Sequence, residues 1–270
     1  MKRSSQLQGR IAVVTGSTRG IGLIIAKSLA SAGANVVICS RSGAILKTIS
    51  QQVARETNTQ VLGVTCDVSE LEQVEALAHQ TMERFGKIDI WFNNAAVNRY
   101  FGPILEAPVS HWQEVINTNL NGTYYGTMTA LKHMLPLNQG KIINLLGAGS
   151  SDSPGNSYLA AYTASKAAVR RFTLVVATDY RDTGLSILGM NPGLMATELT
   201  TGIKPLNDEA VRRLKILEFG LNWFSSSPEG VARTAVHMAS DVTNGKTGKI
   251  YRCRPGLPRI WRSHSSDRSS

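Results

Sequence analysis

The sequence predicts an α/β fold: one doubly wound parallel sheet with helices on both faces. Three observations lead there. Short apolar runs alternate with segments of helical period from residue 11 to residue 190, a Gly-rich turn joins the first run to the first helix, and no low-complexity linker interrupts the chain before residue 252. Ile11-Ala12-Val13-Val14 reads as the first strand, and Ile21, Ile24, Ile25, Leu29 and Ala32 follow at the spacing of one helix face. Val36 to Cys39, after Gly33, is a second strand, which completes a βαβ unit. The alternation continues with strands at Val61 to Val64, Ile88 to Phe92, Lys141 to Leu146 and Leu185 to Met190. Helices are expected over Leu71 to Phe85, over Trp112 to Leu135 as one long element, and over Ala161 to Thr183.

Residues 194–228 break the rhythm with a polar stretch, a helical pattern (Val211, Leu214, Leu217) and the aromatics Phe219, Trp223 and Phe224. An insertion after the carboxyl end of a strand lies where ligands bind in such sheets, so it reads either as a substrate lid or as a helix pair packed on the core or at a subunit contact. Residues 1–251 are expected to form one domain, with 252–270 a flexible, basic, Ser/Arg-rich tail.

Composition narrows the class. Hydrophobic residues make up 42% of the 270, and with 24 glycines this is the balance of an ordinary folded chain, not of a disordered or fibrous one. Apolar runs such as Ile21 to Ala26 stop at a charge (Lys27), well short of the roughly 20 residues a membrane span needs. The polar start Met1-Lys2-Arg3-Ser4-Ser5-Gln6 lacks the apolar core of a secretory signal, so a cytoplasmic location is expected. Cys39, Cys66 and Cys253 form neither a disulfide framework nor a CxxC site, and the five histidines show no ligand-like spacing, so no metal is expected.

The net charge of +10 is concentrated at the ends: residues 1–10 hold +3 and residues 252–270 hold +4, leaving +3 on the 241 between. A solvated tail is the favoured reading over a nucleic-acid or lipid contact.

The first turn, Thr15-Gly16-Ser17-Thr18-Arg19-Gly20-Ile21-Gly22, brings glycines to a helix N-terminus, where backbone amides and the helix dipole favour a pyrophosphate. A dinucleotide is the direct inference. Its spacing is Gly-x3-Gly-x-Gly, different from the usual GxGxxG fingerprint. The end of the second strand, Cys39-Ser40-Arg41-Ser42, carries no carboxylate for the ribose hydroxyl of NAD; instead Arg41, with Arg19 and the Ser40 and Ser42 hydroxyls, suits the 2′-phosphate of NADP(H). Tyr162 and Lys166 stand at i and i+4 on one helix face. An ammonium beside a phenol is expected to lower its pKa, and the pair suits general acid–base chemistry on a carbonyl.

With these motifs in view the chain resembles the short-chain dehydrogenase/reductase family, over residues 7 to about 251 and in the family's motif order. Thr15 to Gly22 is similar to its TGxxxGxG turn, Asn93-Asn94-Ala95-Ala96 to its NNAG, Tyr162 to Lys166 to its YxxxK, and Pro192-Gly193 through Thr197 to its PGxxxT. Asp67, with Val68 beside it, resembles the adenine-contacting acid, and Asn119 the helix asparagine. The resemblance implies a Rossmann-type fold and interconversion of a carbonyl and an alcohol by hydride transfer with NADP(H). Tyr162 would be the proton donor, Lys166 would lower its pKa and hold the nicotinamide ribose, and Asn119 would keep a water linking Lys166 to solvent. Asn94, Ala95, Pro192 and Gly193 would line the cofactor, with Thr197 near the carboxamide. It also implies a homodimer or homotetramer built on the helices at Trp112 to Leu135 and Ala161 to Thr183, with Tyr124 and Tyr125 as contacts or core.

Two departures stand out. Ala96 replaces the last glycine of NNAG. After the fifth strand the family's N-x-S-S, whose serine bonds the substrate carbonyl, is Asn144-Leu145-Leu146-Gly147 here, so Ser150 or Ser151 would have to supply the hydroxyl, or no serine does. The competing reading is an NADPH-binding sensor or scaffold with weak or lost turnover.

Overall fold

A computed structural model of the chain describes residues 6–150, 157–195, 197–224 and 226–253. Seven parallel strands form the main sheet: β1 (Ile11–Val14), β2 (Asn35–Ser40), β3 (Val61–Thr65), β4 (Ile90–Asn93), β6 (Gly140–Leu145), β7 (Leu185–Asn191) and β9 (Ile250–Arg252), in the order β3-β2-β1-β4-β6-β7-β9. A second, two-stranded sheet pairs β5 (Tyr100–Phe101) with β8 (Lys204–Pro205).

Both faces of the main sheet are buried, and the strand period of two sorts its residues between them. Ala12, Val14, Val36, Ile38, Ile90, Phe92, Ile143 and Leu188 pack on one face with Ile25 and Leu29 of α1 (Gly20–Ser31) and Val231 and Met238 of α9 (Pro228–Ala239). Val13, Val37, Val64, Trp91, Ile142 and Ile187 pack on the other with Leu77 of α3 (Leu71–Phe85) and Met134 of α5 (Gly122–Met134). This is why the strands read as continuous apolar runs. With helices on both faces few strand positions take a polar residue, and Asn93, Lys141, Asn144 and Ser186, which do, are hydrogen-bonded in the interior.

Some elements were not foreseen. α2 (Gly43–Thr57) buries Leu46 and Val53 against the sheet, while α9 starts at Pro228 with the Ser227 hydroxyl accepting from the Gly230 amide at 3.0 Å. The long helix expected over Trp112 to Leu135 is three pieces: α4 (Val109–Val115), a π-helical turn at Ile116–Asn121, and α5. The π turn inserts the wider backbone loop that often marks a functional position, and it carries Asn119. The next helix, α6, spans Ala160–Asp179 and ends before Thr183.

The chain winds outward from β1 through β2 to β3, then returns to lay β4 on the other side of β1. Crevices open at such a reversal because the loops after neighbouring strands leave in opposite directions. The turn after β1 and the loop after β4 therefore flank one cleft.

Candidate active site

The loops at the switch point enclose a cavity of about 640 Å³. Its first wall is the turn after β1. Thr15 ties this turn to the next loop: its hydroxyl donates to the Phe92 carbonyl (3.3 Å) and accepts from the amides of Asn94 (3.0 Å) and Ala95 (3.1 Å). Asn94 answers with its side-chain amide, donating to the carbonyls of Thr15 (2.8 Å) and Gly16 (3.0 Å). Gly16 has φ +61°, and a Cβ there would stand 2.9 Å from Ala95 Cα, so only glycine lets the two loops close together. Asn94 is thus a clamp between loops as well as a wall residue.

α1 begins at this turn with no capping side chain at Arg19 and no acidic residue in its first turn. Thr18, Arg19, Gly20, Ile21 and Gly22 line the cavity there. Uncapped amides and a positive dipole end beside an open cavity fit a pyrophosphate. Ser17 does not share this position. Its hydroxyl donates to the Val14 carbonyl (2.6 Å) and accepts from the Cys39 amide (3.1 Å), joining the ends of β1 and β2 within the buried core.

Beyond β2, Ser40 and Arg41 reach the cavity wall, as do Asp67 and Val68 after β3. Asp67 accepts from both the amide and the hydroxyl of Ser69, at 3.0 and 2.7 Å, which orders the loop. Arg41 is half exposed, its guanidinium 3.9 Å from Glu114 of α4. Glu114 is held more tightly by Arg99, through two contacts of 2.6 Å. Those two charge-assisted bonds hold the Glu114 carboxyl below the usual carboxylate range. Arg99 and Tyr100, on the same cavity wall, had no sequence signal, because the two-residue strand β5 leaves no periodic pattern.

α6 brings Tyr162 and Lys166 to the cavity beside the end of β6. Lys166 Nζ donates to the Leu145 carbonyl at 2.9 Å and lies 5.9 Å from the centre of the Tyr162 ring. Desolvation brings the Lys166 ammonium down to about 8 and pushes the Tyr162 phenol up to about 12. Burial works against the expected lowering of the Tyr162 pKa, and the Lys166 ammonium donates to the Leu145 carbonyl. Asn119 lies behind the wall, fully buried. It accepts from the Val97 amide (2.8 Å) and donates to the Val97 carbonyl (3.2 Å) and the Ser165 hydroxyl (3.1 Å), while that hydroxyl donates to the Tyr162 carbonyl (2.7 Å).

Gly147 lines the cavity where the family's serine was expected, and a Cβ on it would stand 2.6 Å from the Tyr162 hydroxyl oxygen. Ser150 is buried, donating its hydroxyl to the Gly147 carbonyl at 2.6 Å and accepting from Asn191 at 3.4 Å. It is not part of the cavity wall as formed by the described residues. Ser151 and residues 254–270 of the tail lie outside the described residues.

A model of the short chain dehydrogenase family matches residues 10–207. A short-chain dehydrogenase/reductase of Aspergillus oryzae is 32% identical over 260 residues, covering 94% of this chain and 97% of its own. The gluconate 5-dehydrogenase of Gluconobacter oxydans is 37% identical over 198 residues, covering 72% and 74%. Among solved structures, levodione reductase superposes with a TM-score of 0.81 at 25% identity, covering 92% of this chain and 97% of its own. The chain belongs to the short-chain dehydrogenase/reductase family. Members are oxidoreductases that use NAD(P)(H) and act on small molecules. Among the described residues of this member no helix is long and apolar enough to cross a membrane, and no cluster of side chains could hold a metal ion.

The remaining wall of the dehydrogenase/reductase cleft comes from the segment after β7. Pro192, Gly193 and Thr197 line it, followed by Leu199 of α7 (Glu198–Thr201), Ile203, and Leu217 of α8 (Asp208–Phe224). The segment is tied across the cleft by β8, which pairs with β5 through Tyr100↔Lys204 and Phe101↔Pro205. Ile203, Ala210 and Leu214 then pack with Phe101 and Leu159 in a small core of their own.

Proposed function

We propose that this chain is an NADP(H)-dependent oxidoreductase that interconverts a carbonyl and an alcohol, with Tyr162 as general acid and base. The observation that carries the reading is the presence of Tyr162 and Lys166 on the same cavity wall as the uncapped α1 turn and the two arginines Arg19 and Arg41. The nicotinamide, when bound, supplies or accepts the hydride. Gly16, Thr18, Gly20, Ile21 and Gly22 would hold its pyrophosphate, Ser40 and Arg41 the 2′-phosphate, and Asp67 and Val68 the adenine. Asn94, Ala95, Pro192, Gly193 and Thr197 would flank the rest, with Lys166 at the ribose.

The chain's own part is proton transfer and positioning. With its pKa pushed up to about 12, Tyr162 is protonated at neutral pH and donates to the oxygen of a reduced carbonyl. Lys166, near 8, is largely cationic there and favours the phenolate left behind. Asn119 positions Tyr162 through Ser165. Residues 194–228 act as the substrate lid of a single domain. Exposed Trp112, Tyr124 and Val175 on α4, α5 and α6 support a homodimer or homotetramer through these helices.

Mixing the protein with NADPH and a panel of ketones should show cofactor oxidation that Y162F abolishes; equal rates in the variant would remove Tyr162 from the reaction. The second reading, a cofactor-binding sensor, is favoured by Gly147 and by a Ser150 hydroxyl committed to the Gly147 carbonyl. Tight NADPH binding with no turnover across the panel is its outcome.

A further inference from the structure

Among the described residues the walls of the cleft carry the cations Arg19, Arg41, Arg99, Lys166 and Lys204 against a single acid, Asp67. Arg19 and Arg41 stand at the α1 turn and the end of β2, and Lys166 donates to the Leu145 carbonyl. Arg99 is neutralised by Glu114 through its two contacts of 2.6 Å. Lys204 is different. It is exposed, and its ammonium makes no ion pair or hydrogen bond with the described residues.

The small sheet decides where Lys204 points. β8 is pinned to β5 on both sides of it: the Lys204 amide donates to the Arg99 carbonyl at 2.8 Å, and the Leu206 amide to the Phe101 carbonyl at 3.0 Å. With the strand period of two, Ile203 and Phe101 turn into the small core beside Leu159, on which Tyr162 packs. Lys204 and Tyr100, paired across the strands, take the opposite face, and both line the cleft. The Tyr100 hydroxyl also has no hydrogen-bond partner among the described residues. The segment after β7 that carries Lys204 otherwise lines the cleft with the half-buried, apolar Leu194, Leu199 and Leu217.

An uncompensated ammonium and a free hydroxyl on one face suit a single negative charge. A carboxylate accepts a bond from each. The second charge of a phosphate would find no cation on this face, because Arg99 is held by Glu114. We propose that the substrate carries a carboxylate on an apolar chain, so that the protein acts on oxo acids and the matching hydroxy acids, with Lys204 and Tyr100 as the specificity-determining pair for that carboxylate. This rests on the carbonyl–alcohol reading of the cleft and adds the class of carbonyl compound.

Titration calorimetry of the full-length chain, with and without NADP+, tests this in the absence of turnover. The probes are 5-oxohexanoate and 7-oxooctanoate, each against its methyl ester. At least one acid should bind about fivefold more tightly than its ester, the upper worth of an exposed ion pair, and the preference should shrink as salt is raised. K204Q should bring the two affinities together, and K204E should reverse their order; an exposed lysine can be changed in both ways while circular dichroism shows the fold retained. Equal affinities of acid and ester in the native chain for both probes, or an acid preference that survives in K204E, would overturn the proposal. Failure of the reaction itself reads differently. Acid binding that depends on Lys204 without any NADPH oxidation would leave the carboxylate site standing and remove the reductase, whereas reduction of neutral ketones with no acid preference would do the opposite.

Discussion

The Gly147 backbone lies against the Tyr162 hydroxyl so closely that a Cβ on Gly147 would stand 2.6 Å from the phenolic oxygen and 3.4 Å from Lys166 Cγ. Restoring the family's serine there is therefore not a repair. G147S and G147A should both lower kcat by about a hundredfold, because Tyr162 must move and a displacement near 1 Å costs that much. S150A should leave kcat nearly unchanged, since its hydroxyl is spent on the Gly147 carbonyl. Steady-state kinetics with one ketone decides both. A faster G147S would show that Tyr162 swings aside, and a fall of about a hundredfold in S150A would make Ser150 the missing oxyanion donor.

Arg41 is half exposed and its contact with Glu114 is long, at 3.9 Å, so it is free to turn toward a phosphate at little cost. R41D should weaken NADPH binding by about 10- to 150-fold, the worth of a hydrogen bond to a charged group. NADH binding should change far less. Fluorescence titration of both cofactors reads the difference, and an equal loss for both would remove the 2′-phosphate from the argument.

The ammonium of Lys166 exists below about 8 and is lost above it. For the reductive direction, kcat/KM for NADPH reports ionisations of the free enzyme, so it should be level at neutral pH and fall as pH rises through about 8. Tyr162 keeps its proton over this range because its pKa is near 12. In K166R the guanidinium stays charged, so the alkaline limb should vanish even though the rate is lower. A limb at the same pH in K166R would assign it to another group.

Asn119 holds both backbone groups of Val97 and, through Ser165, the carbonyl of Tyr162. N119A removes the bonds to both backbone groups of the half-buried Val97 and to Ser165 and should cost about 2 kcal/mol, a fall of ~4–8 °C in Tm for a chain of this size. Hydrogen exchange at Val97 should quicken first. An unchanged Tm would show that the π turn holds its shape without the side chain.

Much of the fold was legible because strands buried on both faces are apolar at most positions, as at Val13, Val37 and Trp91 on one side and Val14, Ile38 and Phe92 on the other. The turn at Gly16, the Tyr162 and Lys166 pair and the wall residues of the later motifs were legible because each needs a residue type that few others can replace. Where a side chain points was not. Ser17 and Ser150 have the chemistry of ligand-binding hydroxyls, yet both are turned to backbone carbonyls of the protein. The two-residue strands β5 and β8 were too short to leave a pattern, so the wall at Arg99 and Tyr100 went unread.

By itself the sequence determined the doubly wound fold, the order of its motifs and the residue types at the reaction centre, since these depend on local periodicity and on chemistry carried by single side chains. Only the tertiary structure decided the rest: that burial raises the Tyr162 pKa, that Gly147 lies too close to the Tyr162 hydroxyl to take a side chain, and that the Ser17 and Ser150 hydroxyls turn to backbone carbonyls. Each of these depends on what surrounds a group in three dimensions, because desolvation, contact and hydrogen-bond satisfaction arise between residues far apart in the chain.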